Sequence, residues 1–353
     1  MKKREIRERK VLKSLIEEYI ENQEPVSSGL ICQKYVQEAS PATIRIDLHK
    51  LEEKNLIFQP HTSAGRIPTI KGYRKYLEEI EDIVSQKKYE NKELLRDILI
   101  KNYKDTPLSL HYIMQFLAKE TDQLSFVAEP EISYGFLQKL EVFKISSHKL
   151  LFVVSLDSGM DKTVILKCDY NISEQQIKVL VKYVNEELAG LRIYDIQNKY
   201  LSRLEETTSE ENRLMQLFLG ELNNALKEIS SYYIHFDGNI NFLEQPEFNK
   251  RIEILKFLSF MQRHDLLLNL MQRYDKGKPY NVIIGEDFGH SEMGNYSLLF
   301  SKYELFGVPG YLGILSPIRM DYKKNIPIIR DFAQIITETT KKGMMVLKNN
   351  TMR

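Results

Sequence analysis

The segment from Ser40 to Tyr76 constrains the fold more than any other part of the chain. Ser40 can cap a helix, and Pro41 then occupies the first helical position, where its missing N–H is not needed. Asn55 can end that helix in the left-handed conformation. Two short strands then flank the turn Pro-His-Thr-Ser-Ala-Gly at 60–65. An inward-facing apolar stripe follows the helix at Ile44, Leu48 and Leu51.

Two further helices are predicted before this segment. Residues 5–22 have one apolar stripe at helical spacing, and Pro25 ends that helix. Ser27 or Ser28 can cap the second helix. Three helices followed by a small hairpin with a glycine-containing tip are typical of a winged helix-turn-helix. In that fold the third helix enters the major groove of DNA and the wing lies on the neighbouring backbone.

The residues predicted to contact DNA lie on the outward side of the third helix and on the wing. An arginine such as Arg45 can read guanine in the major groove, and hydroxyl groups such as those of Ser40 and Thr43 can hold phosphates. Two alternatives stay open, a solvated charged face and a protein-binding winged helix. The predicted contact residues are Ser40, Thr43, Arg45, Ile46, His49, Lys50, His61, Thr62, Ser63 and Arg66.

The charge distribution favours a local DNA contact. The chain has 50 Lys and Arg residues against 49 Asp and Glu residues, so it is not basic as a whole. Residues 1–76 carry 15 basic and 10 acidic residues, whereas the rest of the chain carries 35 and 39. The predicted DNA-binding segment is therefore the basic part of a nearly neutral protein.

The sequence shows no sign of a disulfide framework, a metal site or a membrane segment. Cys32 and Cys168 are the only cysteines and lie far apart. The charged N-terminus lacks the apolar stretch of a signal peptide, and no apolar run approaches the ~18 residues that span a bilayer. We therefore expect a cytoplasmic protein that needs no cofactor.

The rest of the chain alternates between helical and strand patterns. Strand-rich segments on both sides of a helical middle favour a helical unit inserted into an α+β domain, although a helical domain in series would give the same pattern. Helices are predicted at 71–102, 107–127, 173–188, 210–230, 247–274 and 322–346. Strands are predicted at 136–156, 162–167, 280–285, 296–305 and 311–317.

Several longer motifs resemble one protein family. The motifs EPVSSG, SPATIR, LEEKNLI and QPHTSAGRIPT near the N-terminus, and VIIGED and GYLGILSPIRMDYKK near the C-terminus, are very similar to the HrcA family, the bacterial heat-inducible transcription repressors. The resemblance implies an α+β multidomain fold with a GAF-like domain that contains an inserted, mainly helical dimerisation domain. The implied parts are the winged helix at 1–76, connecting helices at 77–134, the GAF-like domain at 135–190 and 279–353, and the inserted domain at 191–278.

The resemblance also implies a function. A homodimer would bind an inverted-repeat operator ahead of class I chaperone operons, and heat would inactivate it. A GroEL-type chaperonin is the implied protein partner. Ile46 departs from the family, which usually has a polar residue, often Asn, at this position. The amphipathic helix at 210–230 fits a core or an interface, and its predicted dimer residues are Leu214, Phe218 and Leu222.

The sequence also bears on two other classes of function. A GAF-like domain could sense a small molecule, with Gly285, Gly310 and Gly313 lining its pocket, although glycines also mark strand ends and close packing. An enzyme is disfavoured because the chain lacks a P-loop, a GxSxG motif and an HExxH motif. His235 and Asp237 are the nearest approach to a catalytic pair, and such an isolated pair is usually structural.

Overall fold

The computed structural model describes residues 3–61, 64–102, 106–130, 132–203, 213–229, 233–238, 242–305 and 307–351. Its N-terminal part is the predicted three-helix unit with a small hairpin. The elements of this unit are α1 (Lys3–Asn22), α2 (Ser28–Lys34), α3 (Pro41–Glu53), β1 (Ile57–Phe58) and β2 (Ile67–Pro68).

The predicted helix boundaries in this unit are confirmed. The Ser27 side chain accepts the Leu30 N–H and begins α2, and the Ser40 side chain accepts the Thr43 N–H and begins α3. Asn55 has a φ of 56° just after α3. These features depend on residues only a few positions apart, which is why the local sequence predicts them.

A five-stranded antiparallel sheet forms the centre of the larger part of the chain. Its strands are β3 (Leu124–Ala128), β7 (Ile234–Asp237), β8 (Asn281–Ile284), β9 (Tyr296–Leu305) and β10 (Val308–Pro317), in the order β7-β3-β10-β9-β8. Residues of β9 alternate between two cores, with Leu299 on one face and Leu298 and Phe300 on the other. The sheet is therefore buried on both faces.

Helices cover both faces of this sheet. One face packs against α5 (Lys92–Asn102), α6 (Thr106–Thr121) and α11 (Tyr322–Thr351). The other face packs against α9 (Arg251–Met261) and α10 (His264–Tyr274) through a cluster of aromatic side chains. The helix α4 (Ile70–Gln86) joins the N-terminal unit to this layered arrangement.

A second, three-stranded sheet lies between β3 and β7 in sequence. Its strands are β4 (Leu137–Ser146), β5 (Lys149–Leu156) and β6 (Asp161–Lys167), in that order. The helices α7 (Glu174–Leu188) and α8 (Arg213–Ile229) pack on one of its faces. We call residues 137–203 and 213–229 the insertion.

The structure corrects three sequence predictions. The helix predicted at 107–127 ends at Thr121, and β3 follows Asp122, which has a φ of 55°. The single strand predicted at 136–156 is two strands that turn at 147–148. The assignment of 135–190 to the same sheet as 279–353 is wrong, because short hairpins pair β4, β5 and β6 with one another, and β3 and β7 complete the larger sheet instead.

Candidate nucleic-acid interface

One side of α3 is exposed along its whole length. Ala42, Arg45, Ile46 and His49 are all exposed, at helical spacings of i, i+3, i+4 and i+7. Ile46 is 58% exposed although it is apolar, and the His49 side chain is 70% exposed. The opposite side of the helix is buried in the core of the three-helix unit. We call these four residues the reading stripe, because they form the helix surface available to a ligand.

The N-terminus of α3 can hold an anion. The Ser40 Oγ accepts the Thr43 N–H at 3.2 Å and lies 2.9 Å from the Thr43 Oγ1. The first N–H groups of a helix carry its partial positive charge, so a phosphate is favoured beside them. Ser40 and Thr43 therefore lie at the N-terminal end of α3, where a phosphate group would be favoured.

Ion pairs fix the orientation of α3 on α1. Asp47 has 0% exposure and accepts two bonds from the Arg7 guanidinium, at 2.6 Å and 3.2 Å. Glu8 accepts a bond from Lys54 at 2.7 Å. Because these bonds hold the inward side of α3, they determine which residues point outward. Sequence reasoning missed them, since the partners are at least 40 positions apart.

Lys50 lies at the edge of the predicted DNA-contact side. Its Nζ is 3.9 Å from a carboxylate oxygen of Glu8, and its side chain is 24% exposed. This partial pairing directs the ammonium towards α1 and away from the reading stripe. Lys50 can therefore approach the phosphate backbone beside the groove more readily than a base edge.

The wing is held at its base by backbone and side-chain bonds. The Gln59 Nε2 donates to the Ala64 carbonyl oxygen at 2.9 Å, and the Ala64 N–H donates to the His61 carbonyl oxygen at 2.9 Å. A Cβ on Gly65 would lie 2.5 Å from the backbone of Val26, so only glycine fits there. His61 is exposed, whereas Thr62 and Ser63 lie outside the described residues.

Arg66 links the wing to α3. Its Nε lies 3.0 Å from the Glu52 Oε2, and its side chain is only 19% exposed. Its backbone pairs with Val26 through two hydrogen bonds of 2.8 Å and 2.9 Å. A phosphate contact by Arg66 would have to compete with the Glu52 carboxylate.

The chain matches known proteins over most of its length. Residues 109–326 match the family model described as the HrcA protein C-terminal domain. The chain is 34% identical over 341 residues to the heat-inducible transcription repressor HrcA of Natranaerobius thermophilus, covering 95% of this chain and 97% of that protein. The chain belongs to the HrcA family of heat-inducible transcription repressors.

Further relatives agree with this assignment. The HrcA repressor of Acetivibrio thermocellus is 30% identical over 330 residues, covering 92% of each chain. A crystal structure of a protein described as hypothetical superposes with a TM-score of 0.59 at 25% identity, covering 94% of this chain and 98% of that one. Membership in the HrcA family makes the chain a DNA-binding transcription repressor rather than an enzyme.

The three candidate pocket glycines, Gly285, Gly310 and Gly313, mark close packing in the structure. A Cβ on Gly313 would lie 2.2 Å from the Leu299 carbonyl oxygen, and one on Gly310 would lie 2.6 Å from the Tyr303 ring. Gly285 has a φ of 56°, and a Cβ there would lie 2.7 Å from Ile70. All three positions need glycine for packing, which accounts for them without a ligand.

Other candidate groups also have structural roles. The His235 Nε2 lies 2.7 Å from the Glu129 Oε1, so its partner is Glu129 and not Asp237. In the part of the chain that the structure describes, no three His, Cys, Asp or Glu side chains are grouped to hold a metal ion. Within the same residues, every helix is too short or too polar to cross a membrane.

The predicted dimer residues lie on α8, whose apolar side faces the three-stranded sheet. Phe218 and Leu222 are buried within the chain, and the Phe218 ring lies 6.0 Å from that of Phe152 on β5. Leu214 is half-buried. Packing within one chain therefore accounts for the burial of Phe218 and Leu222, and their role in a dimer stays a prediction.

Proposed function

We propose that this repressor acts as a homodimer on an inverted-repeat operator ahead of class I chaperone operons. Heat inactivates it, and a GroEL-type chaperonin supports its active form. The observation that carries the DNA-binding part of this proposal is the reading stripe, which exposes Arg45, Ile46 and His49 while Asp47 holds the helix from behind. The family membership supports the regulation by heat.

The argument for a dimer begins with the size of the DNA contact. One α3 helix reads only a few base pairs, and a symmetric dimer that reads two half-sites is the common way to gain specificity. The two copies of an inverted repeat are related by a two-fold axis. A protein dimer with the same symmetry presents one reading stripe to each half-site.

The insertion has a surface that suits a second copy of the chain. Phe143, Leu151 and Ile165 are directly paired across β4, β5 and β6, on the sheet face opposite α7 and α8. Phe143 is 52% exposed and Ile165 is 57% exposed. Exposed apolar groups that lie side by side usually mark an interaction surface. We call these three residues the apolar row and propose that it meets its counterpart in a second copy.

The proposal can be tested with purified protein and two DNA duplexes. Fluorescence anisotropy would compare an inverted repeat of the family's operator with a scrambled duplex, at one fixed salt concentration, because salt alone changes DNA affinity greatly. The measurement is made before and after heating, with and without chaperonin. Specific binding that heat abolishes and chaperonin restores is the expected result. Equal affinity for both duplexes under every condition would contradict the proposal.

A further inference from the structure

The N-terminal unit is joined to the rest of the chain without a flexible linker. We call α1, α2, α3 and the wing the head, and the five-stranded sheet with its helices the body. The helix α4 begins directly after β2, where the Thr69 side chain accepts the Gly72 N–H at 3.1 Å. A Cβ on Gly72 would lie 2.1 Å from the Leu56 carbonyl oxygen, so the start of α4 is packed tightly against the base of the wing.

The other end of α4 is fixed to the body. The Arg330 guanidinium, on α11, donates to the Val84 carbonyl oxygen at 2.7 Å and to the Ser85 carbonyl oxygen at 3.1 Å. The neighbouring Asp331 is 2% exposed and accepts the Tyr89 N–H at 2.7 Å. The helix that carries the head is therefore anchored to α11 just before α5 begins.

Contacts of α4 with the body also hold the head in place, because α4 is packed against the base of the wing. The Arg74 Nη2 lies 2.8 Å from the Asp287 Oδ1, next to the close approach of Ile70 and Gly285. The Tyr73 and Tyr322 rings are 6.3 Å apart and both side chains are buried.

On α1, Glu17 pairs with Lys323 of the body. Clefts of about 730 Å³ and 470 Å³ flank these contacts. The head is thus restrained through α4 and, directly, through Glu17 of α1.

We propose that these contacts set the spacing between the two operator half-sites that the protein accepts. The ion pairs Arg74–Asp287 and Glu17–Lys323 position the head on the body. The inference rests on the proposed dimeric function. One added base pair moves a half-site by about 3.4 Å and rotates it by about 34° around the DNA axis, since a turn has about 10.5 base pairs. A head fixed to its body accommodates one spacing, whereas a head that hinges on α4 accommodates several.

The test uses duplexes with identical half-sites and spacers that differ by one to three base pairs. For the natural chain, we expect affinity to fall at least about tenfold when the spacer changes by two or three base pairs. In the Arg74→Ala/Lys323→Ala variant, the difference in DNA affinity between the spacings should shrink to about threefold or less. Both chains should bind an isolated half-site with affinities within about threefold of each other, because the reading stripe is unchanged.

A second variant separates positioning from charge. Glu17→Gln/Asp287→Asn breaks the same ion pairs by removing negative charge, whereas the first variant removes positive charge. A change in DNA affinity caused by net charge alone would therefore have the opposite sign in the two variants. Both should nevertheless lose spacing preference. Arg96→Ala is the matched control, because Arg96 pairs with Glu93 and Glu338 away from the head.

The outcomes separate this inference from the proposed function. Two ion-pair variants that lose spacing preference while Arg96→Ala keeps it would support the inference. Variants with the spacing profile of the natural chain would overturn it and leave the proposed function intact. A natural chain that binds no inverted repeat at any spacing would overturn the proposed function and, with it, this inference.

Discussion

Ile46 is the most unusual residue of the reading stripe, because it exposes an apolar side chain in the middle of the surface that we propose contacts DNA. Isoleucine cannot bond a base edge, but it can contact the methyl group of thymine. Burying one methyl group contributes about 0.8 kcal/mol, or about fourfold in affinity. Ile46 is therefore expected to favour thymine at one position of each half-site.

This expectation can be measured with uracil in place of thymine, which removes only the methyl group. At one position of the half-site, the substitution should weaken binding of the natural chain by about fourfold. The Ile46→Ala variant should bind both duplexes equally. A natural chain that is indifferent to uracil at every thymine would show that Ile46 does not contact a methyl group.

Arg45 is the basic residue of the reading stripe, and its side chain is exposed. Arg45→Ala should cost about 1–3 kcal/mol of specific binding and relax the base preference at one position. The measurement is anisotropy on a set of operator variants at several salt concentrations. A uniform loss on all sequences, with a salt slope lower by about one, would instead identify Arg45 as a phosphate contact.

At the scale of single residues, the sequence predicts helix caps and apolar stripes well, but it predicts the partners of charged side chains poorly. Ser40 and the inward stripe of α3 depend on residues within one or two turns, so the local pattern predicts them. Arg66 and Lys50 have carboxylate partners 14 and 42 positions away. Which carboxylate each cation meets depends on how the helices pack, and no local pattern encodes that.

Among the elements, α4 depends most on Arg330 and Asp331, because these two residues of α11 hold its C-terminal end and the segment that follows it. Burial alone would raise the pKa of Asp331. Bonds from Arg330, Lys92 and the Tyr89 N–H lower this pKa by more than burial raises it, so the pKa lies below its ordinary value. A carboxylate with a lowered pKa stabilises the fold above its unfolded pKa of about 4, and loses this effect as pH falls through the folded pKa. The anchor of α4 is therefore expected to weaken in acid.

Asp331→Asn should lower the free energy of unfolding by about 2–3 kcal/mol at neutral pH, because it removes a buried charge that two cations share. The difference from the natural chain should narrow below about pH 4, where the carboxylate becomes protonated. Chemical unfolding at a series of pH values measures both effects. Glu338→Gln is a suitable control, since Glu338 is a surface residue of the same helix. A difference that does not change with pH would assign the loss to packing.

Element types were easier to predict than their partners. The strands β8, β9 and β10 and the helices α7 and α8 all appear near their predicted positions. Membership of a sheet was not predictable, because an antiparallel strand has the same alternating pattern whichever neighbour it pairs with. The short strands β3 and β7 were missed or assigned elsewhere, although both are needed to complete the five-stranded sheet.

For the whole molecule, the apolar row predicts how the proposed dimer responds to substitution. Phe143→Asp should raise the dissociation constant of the dimer, because it places a charge in an apolar interface and costs about 2–3 kcal/mol there. Sedimentation velocity over a range of concentrations measures the change. Val179→Asp is the matched control, since Val179 is 65% exposed on α7, on the opposite side of the insertion. An equal effect of both variants would exclude the apolar row as the specific contact.

Heat control is expected to begin in the insertion. The insertion is a small unit made of a three-stranded sheet and two helices. Among the described residues, its ionic link to the body is the bond from Lys162 to Glu129, and Glu129 also contacts His235. Small, locally packed units open at lower free energy than the layered core of a domain. Opening of the insertion would separate two copies and so uncouple their heads from the inverted repeat, while each head stayed folded.

Hydrogen exchange at rising temperature should therefore show loss of protection first at β5 and α8, and later at β9 and α3. Loss of protection in α3 or the wing before the insertion would place the thermal switch in the DNA-binding head instead.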